Sequence, residues 1–395
     1  MLMAELTALL TPEGLRLLDG VDAVDTTDDV ARVVSRLRAA GHSPELVTAV
    51  VTQARLRTRG RAKFGDLAER MLFTRAGLEQ ATRLGIAVRH AARFRDASLT
   101  RVADLGCGIG GDALGLAGLG LHVDAVDADD VTSAIAAYNL APFGPDVTVR
   151  HGTAEETDLS AVDAVWLDPA RRTAGHGDTS RTRPEDWSPP LDWSFELAAR
   201  MPVGIKLGPG LDRTSIPDHV EAQWVSADGS TIELVLWSGA LARDGVRRAA
   251  LVIRGEAAHE LTASADSPDE PPRALGDYLH EPDGAVIRAR LIGEVARSLE
   301  AGVLDEKIAY LTSDATLTSP FVQTFRVRET LPADPKKLAQ ALRARGIGRL
   351  EIKKRGVDVD PAVLRRTLKL KGDDEATLIL TRVGSKRLAI LADRV

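Results

Sequence analysis

Cysteine is almost absent from this chain: one residue, Cys107, in 395. That excludes an internal disulfide framework, and no Cys/His cluster has zinc spacing, so no metal is expected. A single cysteine fits a reducing compartment. Long hydrophobic runs are missing too. None approaches the ~18 apolar residues of a membrane span, so no membrane partner is expected. The opening MLMAELTALLTPEG lacks the basic start and long apolar stretch of a secretory signal. The expectation is a soluble cytoplasmic protein. No internal repeat is found.

What is present is globular. With 44% hydrophobic and 27% charged residues the chain is neither collagen-like, disordered nor a disulfide scaffold. Its length predicts two or three domains at ~150 residues each. The net charge of −6 is unevenly spread: +3 over residues 1–100, −17 over 101–284 and +8 over 285–395. An acidic centre between basic ends predicts that a polyanion, if one binds, touches the ends. Ordinary solvated surface is the competing reading.

Residues 1–95 read as helical. Apolar positions recur at helical spacing over 28–39, 44–56 and 78–94, with Ser43 a cap before Pro44. Arg55, Arg57, Arg59, Arg61 and Lys63 occupy alternate positions, and Gly60 among them places this stretch at a helix end and loop. From Arg101 strands and helices alternate: RVADL, HVDAVD, VTVRHG, VDAVWLD and VGIKLG with helices between. That order predicts a parallel sheet with crossover helices. TIELVLWSG and RRAALVIRG read as an antiparallel pair at its edge. Residues 256–284, polar and proline-rich, read as a linker. Beyond lies a smaller α+β segment. The expected boundaries are a helical segment 1–95, an α/β domain 96–255, a connecting segment 256–320 and a C-terminal domain 321–395.

The strongest motif is Asp104-Leu-Gly106-Cys-Gly108-Ile-Gly110-Gly111, which follows a strand and opens a helix. There backbone N–H groups face a ligand and glycine permits its close approach. The spacing also satisfies the dinucleotide pattern, a weak signal alone. Asp104 separates the readings. A carboxylate at this strand end suits the cationic methionine end of S-adenosylmethionine (SAM) and repels the pyrophosphate of NAD. Asp127, at the end of the next strand, can accept both ribose hydroxyls of either cofactor. Thr153-Ala154-Glu155 follows the strand expected to border an adenine.

These motifs, DLGCGIGGD, AVDAD and VWLDPAR in that order, resemble the class I SAM-dependent methyltransferases over about residues 102–207. The resemblance implies a seven-stranded Rossmann-like sheet with SAM across the strand ends, held by Asp104, Gly106, Gly108, Gly110, Asp127, Ala154 and Glu155. Amino-methylating relatives carry Asp/Asn/Ser-Pro-Pro-aromatic where this chain has Asp168-Pro169-Ala170-Arg171. Asp168 and Pro169 are therefore the catalytic candidates, because a target amine must be aimed at the methyl rather than strongly deprotonated. Arg171 stands in place of the stacking aromatic, and with Arg172 suits a phosphate or carboxylate. Lys206 is a phosphate ligand or an exposed strand-end lysine. Trp187 and Trp193 stack on an acceptor or pack locally.

Residues 63–94, the DPARR loop and IKLGPG are similar to the trimethylguanosine-synthase-like branch, where a helical arm folds over the pocket. That similarity places Phe73, Gln80 and Thr82 near SAM or acceptor, with a core aromatic the alternative for Phe73. From about Phe321 the chain is similar to THUMP-like domains. Genuine THUMP domains bind RNA, which makes Lys353, Lys354 and Arg355 candidate phosphate contacts. The expected function is methylation of a base nitrogen in structured RNA such as tRNA. A protein or small-molecule methyltransferase, a non-catalytic RNA-binding protein and an NAD(P) dehydrogenase are the alternatives.

Overall fold

The computed structural model describes residues 1–171 and 187–395, with the Arg171 side chain excepted. The chain forms two compact units. The first comprises Met1–Leu207, Pro217–Val220 and Leu236–Ala242; the second comprises Gly208–Ile216, Glu221–Val235 and Arg243–Val395.

The first unit opens with helices α1 (Met3–Leu9), α2 (Pro12–Asp19), α3 (Thr27–Ala39) and α4 (Pro44–Phe64). Ser43 caps α4 as expected, its hydroxyl accepting from the Leu46 N–H at 3.3 Å, with Pro44 in the first turn. The cationic stretch is not a loop: α4 runs through it to Phe64. Gly60 is tolerated mid-helix because a Cβ there would lie 2.9 Å from the Phe73 ring. Helix packing overrides the intrinsic cost of glycine, roughly 1 kcal/mol. Helices α5 (Arg75–Gln80) and α6 (Leu84–Asp96) follow.

A parallel sheet then builds from β1 (Arg101–Leu105), β2 (His122–Asp127), β3 (Val147–His151) and β4 (Ala164–Leu167). Two-residue strands β5 (Ala170–Arg171) and β6 (Trp187–Ser188) pair with each other, and β7 (Val203–Leu207) returns to the main sheet. Crossovers are α7 (Gly111–Gly118), α8 (Asp130–Leu140) and α9 (Leu191–Ala198). The strand order is β7-β4-β1-β2-β3. Its switch point lies between β1 and β4, where ligands of such sheets bind at the carboxyl ends.

In the second unit β8 (Glu221–Ala227), β10 (Arg248–Arg254) and β11 (Ala257–Ala263) run in the order β11-β10-β8. β9 (Ser230–Trp237) gives its first six residues to this unit and its last two to the first. The expected antiparallel pairing of β9 with β10 is not formed: β10 pairs in parallel with β8 and antiparallel with β11. The seven strands expected in one domain are thus exceeded, five running in the first unit and β8, β10 and β11 in the second, with β9 divided. Two strands were missed: β8, where no strand was read, and β11, read as linker. The latter is an edge strand, mostly solvent-exposed, so its side chains carry no hydrophobic alternation to read.

The expected connecting segment also holds structure. β12 (Tyr278–Pro282), β13 (Gly302–Asp305) and β14 (Ile308–Ser313) join β15 (Val322–Leu331), β16 (Ile347–Lys354), β17 (Asp374–Val383) and β18 (Lys386–Arg394). They form one seven-stranded sheet, ordered β13-β14-β12-β15-β18-β17-β16. Helices Pro335–Ala344 and Pro361–Leu368 cover one face, burying Leu338, Leu342, Leu364 and Leu368 against β16 to β18. Among the described residues no helix is long and apolar enough to cross a membrane, and no His/Cys/Asp/Glu group is arranged to hold a metal.

Candidate active site

A cavity of about 550 Å³ opens in the first unit at the carboxyl ends of β1, β2, β4 and β7, a size suited to a cofactor-scale ligand. The glycine turn is its floor. Gly106 has φ +83°, and a Cβ there would lie 2.9 Å from the Asp168 carbonyl oxygen. The turn and the β4 end can meet this closely only over a glycine. Gly110 caps α7 with φ +87°, leaving Gly106, Gly108 and Gly111 to line the cavity.

A helical arm forms the opposing wall. Gln53 on α4 exchanges two hydrogen bonds with the Phe73 backbone, at 2.6 and 2.9 Å. Asn139 on α8 binds the Leu72 N–H and carbonyl and also the Ile109 carbonyl, at 2.7–3.0 Å. Two buried amides thus fix residues 72–73 between α4 and the glycine turn. The chain that follows, from Thr74 to Thr82, borders the cavity and includes Gln80. Phe73 itself is fully buried against Phe64, their rings 5.8 Å apart. It belongs to the core, and the expectation that it meets a ligand is corrected.

Four carboxylates face or underlie the cavity. Asp104 is 1% exposed, and neither of its oxygens has a hydrogen-bond partner. Burial, reinforced by Asp112 and Asp168, pushes its carboxyl well above the usual range. A buried carboxyl without a partner, lining a cavity, gains its counter-charge and ionises when a cationic ligand group enters beside it. Asp127 accepts from the N–H groups of Gly108 (2.9 Å) and Asp129 (3.0 Å). Burial raises its carboxyl, partly offset by those two bonds. Its oxygens are thereby oriented where ribose hydroxyls can donate to them.

Asp112 and Asp168 join a network that the sequence reading missed. Lys206 is not an exposed strand-end lysine: it is buried and lines the cavity. Its ammonium contacts Asp168 at 2.5 Å, Asp112 at 3.2 Å and the Thr82 hydroxyl at 2.8 Å. Thr82 donates to Asp112 at 2.7 Å, and His90 Nδ1 lies 3.0 Å from the other Asp112 oxygen. Burial opposes ionisation of Asp112, but the Lys206 charge and the His90 bond dominate and hold its carboxyl well below the usual range. The Lys63 ammonium caps the arm, donating to the carbonyls of Glu79 and Ala81, both at 2.7 Å. Asp112 was legible only as the residue ending GCGIGGD; His90 showed only as a histidine on an alanine-rich helix face.

Other expectations fare differently. Pro169 and Ala170 line the cavity beside Asp168, and Ser188 closes the same side. Ala154 and Glu155 do not line it; Ala128 and Thr132 do. β3 is the edge strand, and Glu155 in the turn after it is exposed. Nothing is described of the Arg171 side chain, and Arg172 lies outside the described residues. Trp187 is buried and Trp193 half-buried. Cys107 is a buried thiol pushed up by burial and by Asp104 and Asp127, which disfavours its thiolate.

In the second unit the basic run is divided by its partners. Lys353 pairs with Glu281 at 2.5 Å and lies 5.5 Å from the Phe325 ring centroid. Arg355 donates to the Ala309 carbonyl at 2.8 Å and covers the Tyr310 ring at 5.1 Å. Lys354 is exposed. Alternation along β16 sends its neighbours to one face and Lys354 to the other. Lys353 and Arg355 thus hold the sheet together, and the grouping of all three as equivalent phosphate contacts is corrected.

Comparisons with known proteins follow the same outline. A THUMP domain-like family matches residues 322–394, and a domain family described as of unknown function matches residues 3–60. Two uncharacterized S-adenosylmethionine-dependent methyltransferases of Mycobacterium tuberculosis, from strains CDC 1551 / Oshkosh and ATCC 25618 / H37Rv, are each 33% identical to this chain over 367 residues. The matches cover 90% of this chain and 97% of each relative. A crystal structure from Porphyromonas gingivalis W83, assigned as a candidate methyltransferase, shares the fold with a TM-score of 0.72 at 22% identity, covering 95% of this chain and 100% of that one.

Proposed function

Since the chain belongs to the S-adenosylmethionine-dependent methyltransferases, we propose that its cavity holds SAM between Asp104 and Asp127 and that the methyl passes to a base nitrogen of a structured RNA, with tRNA the first to test. The observation that carries this reading is the unpartnered buried pair of Asp104 oxygens at the cavity wall. When bound, SAM supplies an electrophilic methyl. The acceptor lone pair forms the new bond, the sulfur keeps the electrons of the broken one as a neutral thioether, and the nitrogen sheds one proton to solvent. The chain's own residues bind and orient. Asp104 neutralises the cationic end of the cofactor, Asp127 accepts from its ribose, and the glycine turn admits it against the backbone.

Asp168 is assigned to the acceptor. It is one-third exposed beside Pro169 and faces the cavity from the end of β4. A carboxylate accepts the N–H of an amine and so turns its lone pair toward the methyl. No metal is invoked. Gln80 and Thr82 on the arm support the likeness to the trimethylguanosine-synthase-like branch.

RNA as partner rests on the THUMP domain-like match and on charge. Arg55 and Arg59 lie exposed one turn apart on α4 and line a groove with Arg75 and Thr74, and Thr74 also borders the cavity. Arg57, by contrast, is paired with Asp19, and Arg61 with Glu69. The experiment is incubation with labelled SAM and RNA from a strain lacking this protein, followed by nucleoside mass spectrometry. One methylated nucleoside should appear, and Asp168→Ala should abolish it while leaving SAM binding intact. Label found in protein or metabolites and absent from RNA overturns the reading.

A further inference from the structure

The Lys206 ammonium sits between two carboxylates of different standing. Asp112 is 8% exposed in its side chain, at the start of α7, and Asp168 is 34% exposed at the cavity. Lys206 itself is 10% exposed, on the buried strand β7. From below it is fixed by Asp112 and Thr82, and Asp112 is fixed in turn by Thr82 and His90. The His90 ring is packed on Trp166, their centroids 4.5 Å apart. The ammonium therefore has one well-defined position, and its bond to Asp168 is the outermost link of a chain running in from the core.

We propose that Lys206 is a positioning residue for methyl transfer, which holds the Asp168 carboxylate in the orientation that receives the acceptor amine. This rests on the assignment of Asp168 to the acceptor. The physical need is specific. Asp168 follows the last residue of β4 at the start of a loop, so its backbone alone does not fix its side chain. A carboxylate free to rotate loses the near-attack geometry on which a transfer without a strong base depends. A charged hydrogen bond from a lysine that is itself buried and double-anchored supplies that constraint. Asp112, Thr82 and His90 act through Lys206 and touch no substrate.

Charge gives the arrangement a second consequence. Among the described residues, Lys206 interacts with Asp104 from β1, Asp112 from α7 and Lys63 from α4 as well as with Asp168, and Asp168 with Asp104; His90 from α6 and Asp127 from β2 act on Asp112 and Asp104 behind them. Lys206 touches the Asp168 carboxylate, so removing it takes away the adjacent positive charge and Asp168 should retain its proton to higher pH. A protonated Asp168 offers a donor where the amine needs an acceptor. Methyl transfer by the intact protein should thus persist into mildly acidic solution.

The test uses the full chain, labelled SAM and RNA from a strain lacking the protein, with Lys206→Met, Lys206→Arg and the double variant Lys206→Met/Asp112→Asn. Lys206→Met should lower kcat about 10- to 150-fold, the range expected for loss of a charged hydrogen bond. SAM affinity should change by less than about threefold, and the acidic limb of kcat should move to higher pH. Lys206→Arg should recover part of the rate and restore the limb. The double variant relieves the stranded Asp112 and should recover thermal stability without recovering kcat. Normal turnover in Lys206→Met, or full turnover in the double variant, overturns the proposal and leaves Lys206 a structural ion pair. Wild-type protein that transfers no methyl to RNA overturns the RNA reading and this proposal together.

Discussion

Asp104 offers a test in which stability and binding should move in opposite directions. Its two oxygens are buried without partners, and Asp112 and Asp168 add negative charge nearby. Replacing it by asparagine keeps the shape and removes the charge. Asparagine stays a buried polar group there, so what it removes is the cost of an ionisable carboxyl: each unit by which a folded-state pKa is raised costs ~1.4 kcal/mol once the unfolded chain has ionised. The ligand-free variant should therefore be more stable than wild type by ~1–3 kcal/mol, which for a domain of 150–250 residues is a Tm rise of ~2–12 °C. The sign with pH follows from the raised folded-state value. Below the ordinary carboxylate range both states are protonated and the two proteins should match. As pH climbs toward neutrality the wild type must keep or lose a buried proton that the unfolded chain gives up freely, so the gap should widen. SAM works against that gap. Losing a charged hydrogen bond of ~1.5–3 kcal/mol should weaken its binding ~10- to 150-fold. With SAM at ~100 times the wild-type Kd, wild type gains ~2.7 kcal/mol of stability, whereas a variant weakened 10- to 100-fold gains only ~0.4–1.4. Thermal unfolding across pH with and without SAM, alongside calorimetric titration, measures both. A variant that is less stable without ligand and binds SAM normally would refute the assignment of Asp104 to the cofactor.

Three further outcomes follow from named residues. Asp127→Ala should weaken SAM by ~10-fold or more, since it loses the ribose acceptors and frees the Gly108 and Asp129 N–H groups that shape the turn; calorimetry checks this, and normal affinity in a folded variant would reject the placement of the ribose at β2. Neutralising exposed Lys354, Arg366 and Lys369 should flatten the salt dependence of RNA affinity by ~0.7–0.9 for each phosphate no longer neutralised, whereas neutralising Lys353 and Arg355 should lower Tm by breaking their interactions with Glu281, Phe325 and Tyr310. A salt titration and a melting curve separate the two sets. His280 is fully buried between Thr324 and Ser313, and burial lowers its pKa to about 4. The second unit should lose stability as pH falls from about 6.5 toward 4, because only the unfolded chain takes up that proton readily; His280→Gln should be less sensitive over that window, and equal sensitivity would refute the assignment.

The helical start, the parallel sheet and the ligand end of β1 could all be read from the chain, because each leaves a local mark. Helical periodicity identified α3, α4 and α6. A run of apolar residues, a glycine turn and a small-residue helix marked β1 and α7, and carboxylates at strand ends marked Asp104, Asp127 and Asp168. The signals failed where structure depends on non-local pairing. β11 is an edge strand held by backbone bonds and carries no pattern of its own. The partner of β10 was set by sheet order rather than by the short loop that precedes it. The roles of polar residues were decided the same way. Lys206, Thr82, His90 and Asp112 lie as much as 124 positions apart, and nothing along the chain announces that they meet. Lys353 and Lys354 are adjacent and chemically identical, yet Glu281, more than 70 positions upstream, makes one of them structural and leaves the other in solvent. Local sequence thus determined which elements form and which residue types reach the cofactor end of the sheet. Tertiary structure decided which charges are neutralised by a partner, because a charge's partners are set by distance in space and its cost by burial, and the chain order encodes neither.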